Sequence, residues 1–129
     1  MAVIFYESRS AVKKNGPLKD LVKAFLLDQP DEIRRQVVSL SIIDCSRAPQ
    51  GVRHFWEKAL IENSRIEGVT IYGDWDGKMR KDMGFKEGDS NFMVVDKDGL
   101  IRLHLSGKIG QESYEGIKSL LLRLVTDSG

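Results

Sequence analysis

At 129 residues, with 41% hydrophobic and 30% charged side chains, the chain is expected to form one globular domain, residues 1–129, around one core. Lys and Arg total 20 against 19 Asp and Glu, so no excess of positive charge is available for a sequence-independent hold on nucleic acid. No apolar run is long enough to cross a bilayer, which argues against a membrane span.

The chain opens on Val3-Ile4-Phe5-Tyr6, a continuous apolar run that predicts a strand buried on both faces. Leu18, Leu21, Val22, Phe25 and Leu26 then draw one apolar stripe at helical spacing. Two starts fit this helix: Ser10 as N-cap with a kink at Pro17, or a start at Pro17 itself. Pro30 closes the segment. Val37 to Ile43 predicts the second strand, followed by the loop Asp44-Cys45-Ser46-Arg47-Ala48-Pro49. Val52, Phe55, Trp56, Ala59 and Leu60 repeat the helical stripe, so Trp56 reads as core. Val69 to Tyr72 predicts a third strand, and Asp76 can cap a short helix ending near Met83.

The strongest local signal comes next. Asn91 to Val95 and Leu100 to Leu105 flank Asp96-Lys97-Asp98-Gly99, the pattern of an antiparallel hairpin. Ile117, Leu120, Leu121, Leu124 and Val125 mark a last helix, and Ser128-Gly129 are expected to fray. The order βαβαβαββα predicts an α/β fold: a mostly parallel five-stranded sheet with helices on both faces. Right-handed crossovers predict the strand order 3-2-1-4-5, with the fifth strand antiparallel at its edge.

That order, ending in a hairpin and a helix, resembles the thioredoxin-like superfamily, a three-layer sandwich. The third strand with its short helix is similar to the insertion in its peroxiredoxin and TlpA-type branches. The stretch from Asn91 to Arg102 resembles the hairpin of those proteins, and Ser106-Gly107 fits as well. The segment Ser8-Arg9-Ser10-Ala11-Val12-Lys13-Lys14-Asn15, with the Asp-Lys-Asp-Gly turn, is similar to the YtfJ family of bacterial thioredoxin-like proteins. Against thioredoxins there are two departures. The Cys-x-x-Cys expected at the first strand-to-helix junction is absent, since Cys45 is the only cysteine. Asp89 stands where those proteins place a proline before the fourth strand.

Dithiol exchange needs an attacking thiolate and a second thiol, and serine supplies neither. The resemblance therefore implies a thioredoxin-like domain without redox activity, a protein- or ligand-binding module whose partner is a protein or peptide, needing no cofactor. Its expected contact edge carries Arg9, Ser10, Cys45, Trp75 and Asp89. Each has a plainer reading. Arg9 and Ser10, with Lys13, Lys14 and Lys19 nearby, can face an anion or can be a cap and a solvated face. Cys45 can be a lone redox thiol or a small buried hydrophobe. An exposed Trp75 is a better partner contact than any titratable group.

The alternative is an enzyme of another kind, a single-cysteine thiol-redox protein using Cys45. A third reading is a structural domain of a longer exported chain. Asp74, Asp76, Asp96 and Asp98 lack calcium-loop spacing. His54 and His104 have no identifiable triad partners and, with Cys45, no zinc-site spacing. One thiol implies no oxidising compartment. The chain reads as cytoplasmic as it stands, or as periplasmic if a leader was trimmed.

Overall fold

The opening apolar run forms the middle strand of the sheet. In the computed structural model of the chain, which describes residues 1–127, β1 (Ala2–Ser8) keeps Val3 to Tyr6 all but inaccessible. Five strands pair in the order β3-β2-β1-β4-β5, with β2 at Val38–Asp44, β3 at Ile71–Asp74, β4 at Ser90–Val95 and β5 at Ile101–Ser106. The expected strand order holds, as does the hairpin. Asp96 receives the Asp98 and Leu100 N–H groups on one carboxylate oxygen, and Gly99 takes the positive φ that the turn requires.

The expectation of a mostly parallel sheet does not hold. β1, β2 and β3 run parallel, but β4 is antiparallel to both β1 and β5, so the sheet is mixed. Element length explains it. The helix between β3 and β4, α4 (Lys78–Met83), has only six residues, about 9 Å of rise. It cannot carry the chain back along a seven-residue β1 strand that spans about 23 Å. β4 therefore begins at the end where β3 finished.

α1 starts at Gly16 and runs to Leu27, with Pro17 in its first turn, where a missing N–H costs nothing. The start near Pro17 is the correct alternative. Ser10 is not the N-cap: it lies in a 3-10 turn over Arg9–Ala11, five residues before α1. A four-residue helix, α2 (Asp31–Arg34), had no sequence signal. α5 (Tyr114–Asp127) closes the fold; the expected fraying of residues 128–129 lies outside the described residues.

The two sheet faces are packed unequally. Val3, Phe5, Phe92 and Val94 meet Leu18, Val22 and Phe25 of α1 and Ile117, Leu121, Leu124 and Val125 of α5 in the larger cluster. Such full burial contributes roughly 1.5–3 kcal/mol per large side chain. The opposite face holds the smaller cluster of Ile4, Tyr6, Ile42, Met93 and Phe85, covered by α4. α3 (Arg53–Glu67) sits over β3 with none of its residues buried. Phe55, expected in its buried stripe, is 66% exposed, and Trp56 is half-buried instead of core. The sheet-facing row is Trp56, Ala59, Leu60 and Asn63, and Phe55 falls beside it. No helix among the described residues is long and apolar enough to cross a membrane.

Candidate functional site

The carboxyl ends of β1, β2 and β3 and the amino end of β4 share one edge of the sheet. Where β1 meets β4, the polar residues are consumed by one another. Glu7, 3% exposed, accepts from the Lys19 ammonium at 2.5 Å and from the Ser90 hydroxyl at 2.6 Å. The Asn15 amide donates to Ser90 Oγ and to the Gly107 carbonyl and accepts the Ile109 N–H. It thereby ties the start of α1 to the chain beyond β5.

Asp89 accepts from Lys14 Nζ at 2.6 Å and from its neighbour's Ser90 N–H, with Lys86 at 3.4 Å. The Lys14 ammonium above all, then the Ser90 N–H, holds the Asp89 carboxyl below the usual carboxylate range. Every buried side-chain nitrogen or oxygen among the described residues has a partner. Behind the exposed Arg9, Ser10 and Lys13, the β1–α1 junction is thus tied to β4 by a hydrogen-bonded lock.

A second network lies at the ends of β2 and β3. Tyr6 donates its hydroxyl to Asp74 at 2.7 Å, and burial together with that bond holds the phenol far above its ordinary range. Arg80 of α4 reaches Asp44 at 3.1 Å and donates its N–H to Asp74. Ser46 caps the other Asp44 oxygen. Gly77 leaves room for this arrangement, since a Cβ there would stand 3.0 Å from the Arg80 guanidinium.

Cys45, between these carboxylates, is 2% exposed. Burial, then the charges of Asp44 and Asp74, push its thiol up to about 11, while Arg53 and Arg9 pull weakly the other way. A thiolate is therefore scarce at neutral pH.

The third part of the edge is open. A cleft of about 310 Å³ runs beneath α3, between Trp56, Ala59 and Leu60 above and Ser41, Ile43 and Ile71 of the sheet below. Ser41 and Ala59 are small where helix and sheet face each other, so the layers do not close. Cys45 lines the cleft, Arg9 and Lys13 stand at its margin, and the Glu7–Lys19 pair walls it from the lock. The Arg9 guanidinium lies 4.8 Å from the Trp56 ring centroid, and Arg53 stacks at 4.4 Å on Trp75.

The structure thus brings Arg9 and Cys45 to one cleft. It leaves Ser10 exposed beside Ser8, keeps Trp75 half-buried under Arg53, and buries Asp89 in the lock. Among the described residues, no three His, Cys, Asp or Glu side chains gather as a metal site. His54 is exposed on α3, and His104, exposed on β5, packs edge-on against Phe85.

Sequence reasoning missed Glu7, Asn15, Ser90 and Arg80. Glu7 carried one usable signal: on an alternating strand it shares a face with Val3 and Phe5, so a charge there demands a partner. Nothing local marked Arg80.

No protein family model matches the chain. No curated protein matches it either. Among solved structures, it is similar to the pneumococcal exposed lipoprotein thioredoxin Etrx1 of Streptococcus pneumoniae strain TIGR4. The TM-score is 0.57 with 12% sequence identity, over 95% of this chain and 84% of that one. With the strand order β3-β2-β1-β4-β5 and the closing hairpin and helix, the chain has a thioredoxin-like α/β fold.

Proposed function

We propose that the chain is a thioredoxin-fold domain without dithiol chemistry that binds a protein or peptide partner. The partner edge presents Arg9, Ser10 and Trp75, with Cys45 and Asp89 seated behind them. One observation carries this reading. The β1–α1 junction is occupied by the bonds Lys14–Asp89, Asn15–Ser90, Ser90–Glu7 and Lys19–Glu7, and it holds no thiol. Exchange requires a thiolate that attacks a disulfide sulfur and a second thiol that resolves the mixed disulfide. Polar groups that satisfy one another offer neither step.

Kinship with the YtfJ branch is part of the proposal. It rests on the segment from Ser8 to Asn15 and on the Asp96–Gly99 turn. In this chain, Lys14 and Asn15 of that segment are the residues that lock onto Asp89 and Ser90. The test of the main reading is insulin reduction with dithiothreitol. The expected outcome is no acceleration over dithiothreitol alone; rapid turnover overturns the reading.

A second reading, a lone redox thiol at Cys45, is favoured by the sulfur's place on the cleft wall near Arg9. Its burial and its raised pKa count against it. Iodoacetamide at neutral pH separates the two. Alkylation of Cys45 only after unfolding supports the binding domain, and rapid alkylation of the folded chain supports the thiol enzyme.

A further inference from the structure

The cleft beneath α3 opens beside Arg9 and Cys45. At about 310 Å³, this open groove between a helix and a sheet is of the size that holds a small organic molecule. Its lining is mixed: Trp56 and Leu60 from α3 and Ile43 and Ile71 from the sheet form an apolar part, and charged and polar side chains, Arg9 and Lys13 among them, make up the rest.

Its charge is unbalanced at one end. The Glu7 carboxylate is already spent on Lys19 and Ser90. Arg9 lies on the Trp56 ring with no carboxylate partner among the described residues, and Lys13 has none either. The remaining acid on the lining, Glu67, is eleven residues from Trp56 along α3, about 16 Å away along the helix axis.

We infer that this cleft binds a small carboxylate with an apolar body. The carboxylate pairs with Arg9 and Lys13, and the body lies among Trp56, Leu60, Ile43 and Ile71. A planar guanidinium placed over an indole can present its edge donors to a carboxylate in two parallel bonds. A compact anion such as phosphate satisfies the cations but leaves the apolar walls wet. A neutral apolar molecule leaves Arg9 unpaired. The inference goes beyond the partner reading above, sharing only Arg9 and Cys45 with that edge.

The test is a nitrogen–proton correlation NMR titration of the full chain with octanoate, with octan-1-ol, acetate and inorganic phosphate as separate arms. The expected result is saturable shifts with octanoate at the Trp56 indole N–H and at the Leu60 and Ile71 amides. Binding of octan-1-ol and of acetate is expected to be at least about tenfold weaker. Arg9→Gln should weaken octanoate by about tenfold, and Ala59→Phe, which fills the cleft, should abolish its shifts in a chain whose spectrum is otherwise folded. Octan-1-ol equal to octanoate, phosphate tighter than octanoate, or an unchanged affinity in Arg9→Gln overturns the inference. So does the absence of any saturable shift with octanoate. Insulin turnover is a separate measurement, so this ligand class and the dithiol-free reading fail independently.

Discussion

At the corner where β1 meets β4, Glu7, Asn15, Lys14, Lys19, Asp89 and Ser90 direct their polar atoms at one another. Beneath α3, on the same face of the same sheet, Arg9 and Lys13 border an open space walled by Trp56, Leu60, Ile43 and Ile71. Both regions draw on lysines, and both border the carboxyl end of β1 through Glu7. The difference lies in who satisfies the charges. In the lock the protein does so itself, which fixes geometry and removes capacity for a ligand. At the cleft, Arg9 and Lys13 are exposed and pair with no carboxylate among the described residues. The two regions share the Glu7–Lys19 pair, yet the polar groups at the β1–β4 corner are bonded to one another while Arg9 and Lys13 are not bonded to a carboxylate among the described residues.

The sharpest way to break this contrast is to unpair the lock. Lys19→Met should destabilise the chain by about 3 kcal/mol, since it strands the buried Glu7 carboxylate. Urea unfolding followed by circular dichroism reads this as a lower midpoint at unchanged slope. A loss below about 0.5 kcal/mol would show that water reaches Glu7 and that the corner is not closed.

Asp89→Asn should cost about 2 kcal/mol, the scale of a charge-assisted hydrogen bond, and should also change the acid response. The Asp89 carboxyl is depressed in the folded state, so its stabilisation is complete above the unfolded aspartate pKa of about 3.9 and is lost as pH falls through the lower folded value. Stability measured from pH 6 down to pH 2 should fall less steeply in Asp89→Asn than in the parent chain. Parallel curves would detach Asp89 from the lock.

On the open side, Arg9→Gln should change stability by less than about 0.5 kcal/mol, because the guanidinium rests on a half-buried ring and satisfies no buried acid. Its effect should fall on ligand affinity alone. Phe55→Ser should be similarly neutral, the smallest effect in the set, since the ring is already 66% exposed. A loss above 1 kcal/mol at Phe55 would mean that α3 is buried against something in solution.

Helical stripes at Leu18 to Leu26 and Ile117 to Val125, the double-sided burial of β1 and the Asp96–Gly99 reversal were all legible, because each depends on residues close in sequence. The same reasoning failed at Phe55. A stripe identifies an amphipathic face but not which of its rows meets the sheet, and here that row is Trp56, Ala59, Leu60 and Asn63, with Phe55 beside it. It placed Arg9, Ser10, Cys45, Trp75 and Asp89 at one edge, yet could not separate exposed groups from buried ones.

The residue pattern alone revealed the five strands, the longer helices, their order across the sheet and the want of a second thiol, but not the four-residue α2. Periodicity, turn chemistry and residue count are local or additive, so they survive without coordinates. Only the tertiary structure decided that β4 runs against β1, that Asn15 and Lys14 close onto Ser90 and Asp89 from some 75 residues away, and that the sulfur of Cys45 is hidden. Those outcomes depend on the reach of a six-residue helix and on the pairing of charges distant along the chain, which no single segment encodes.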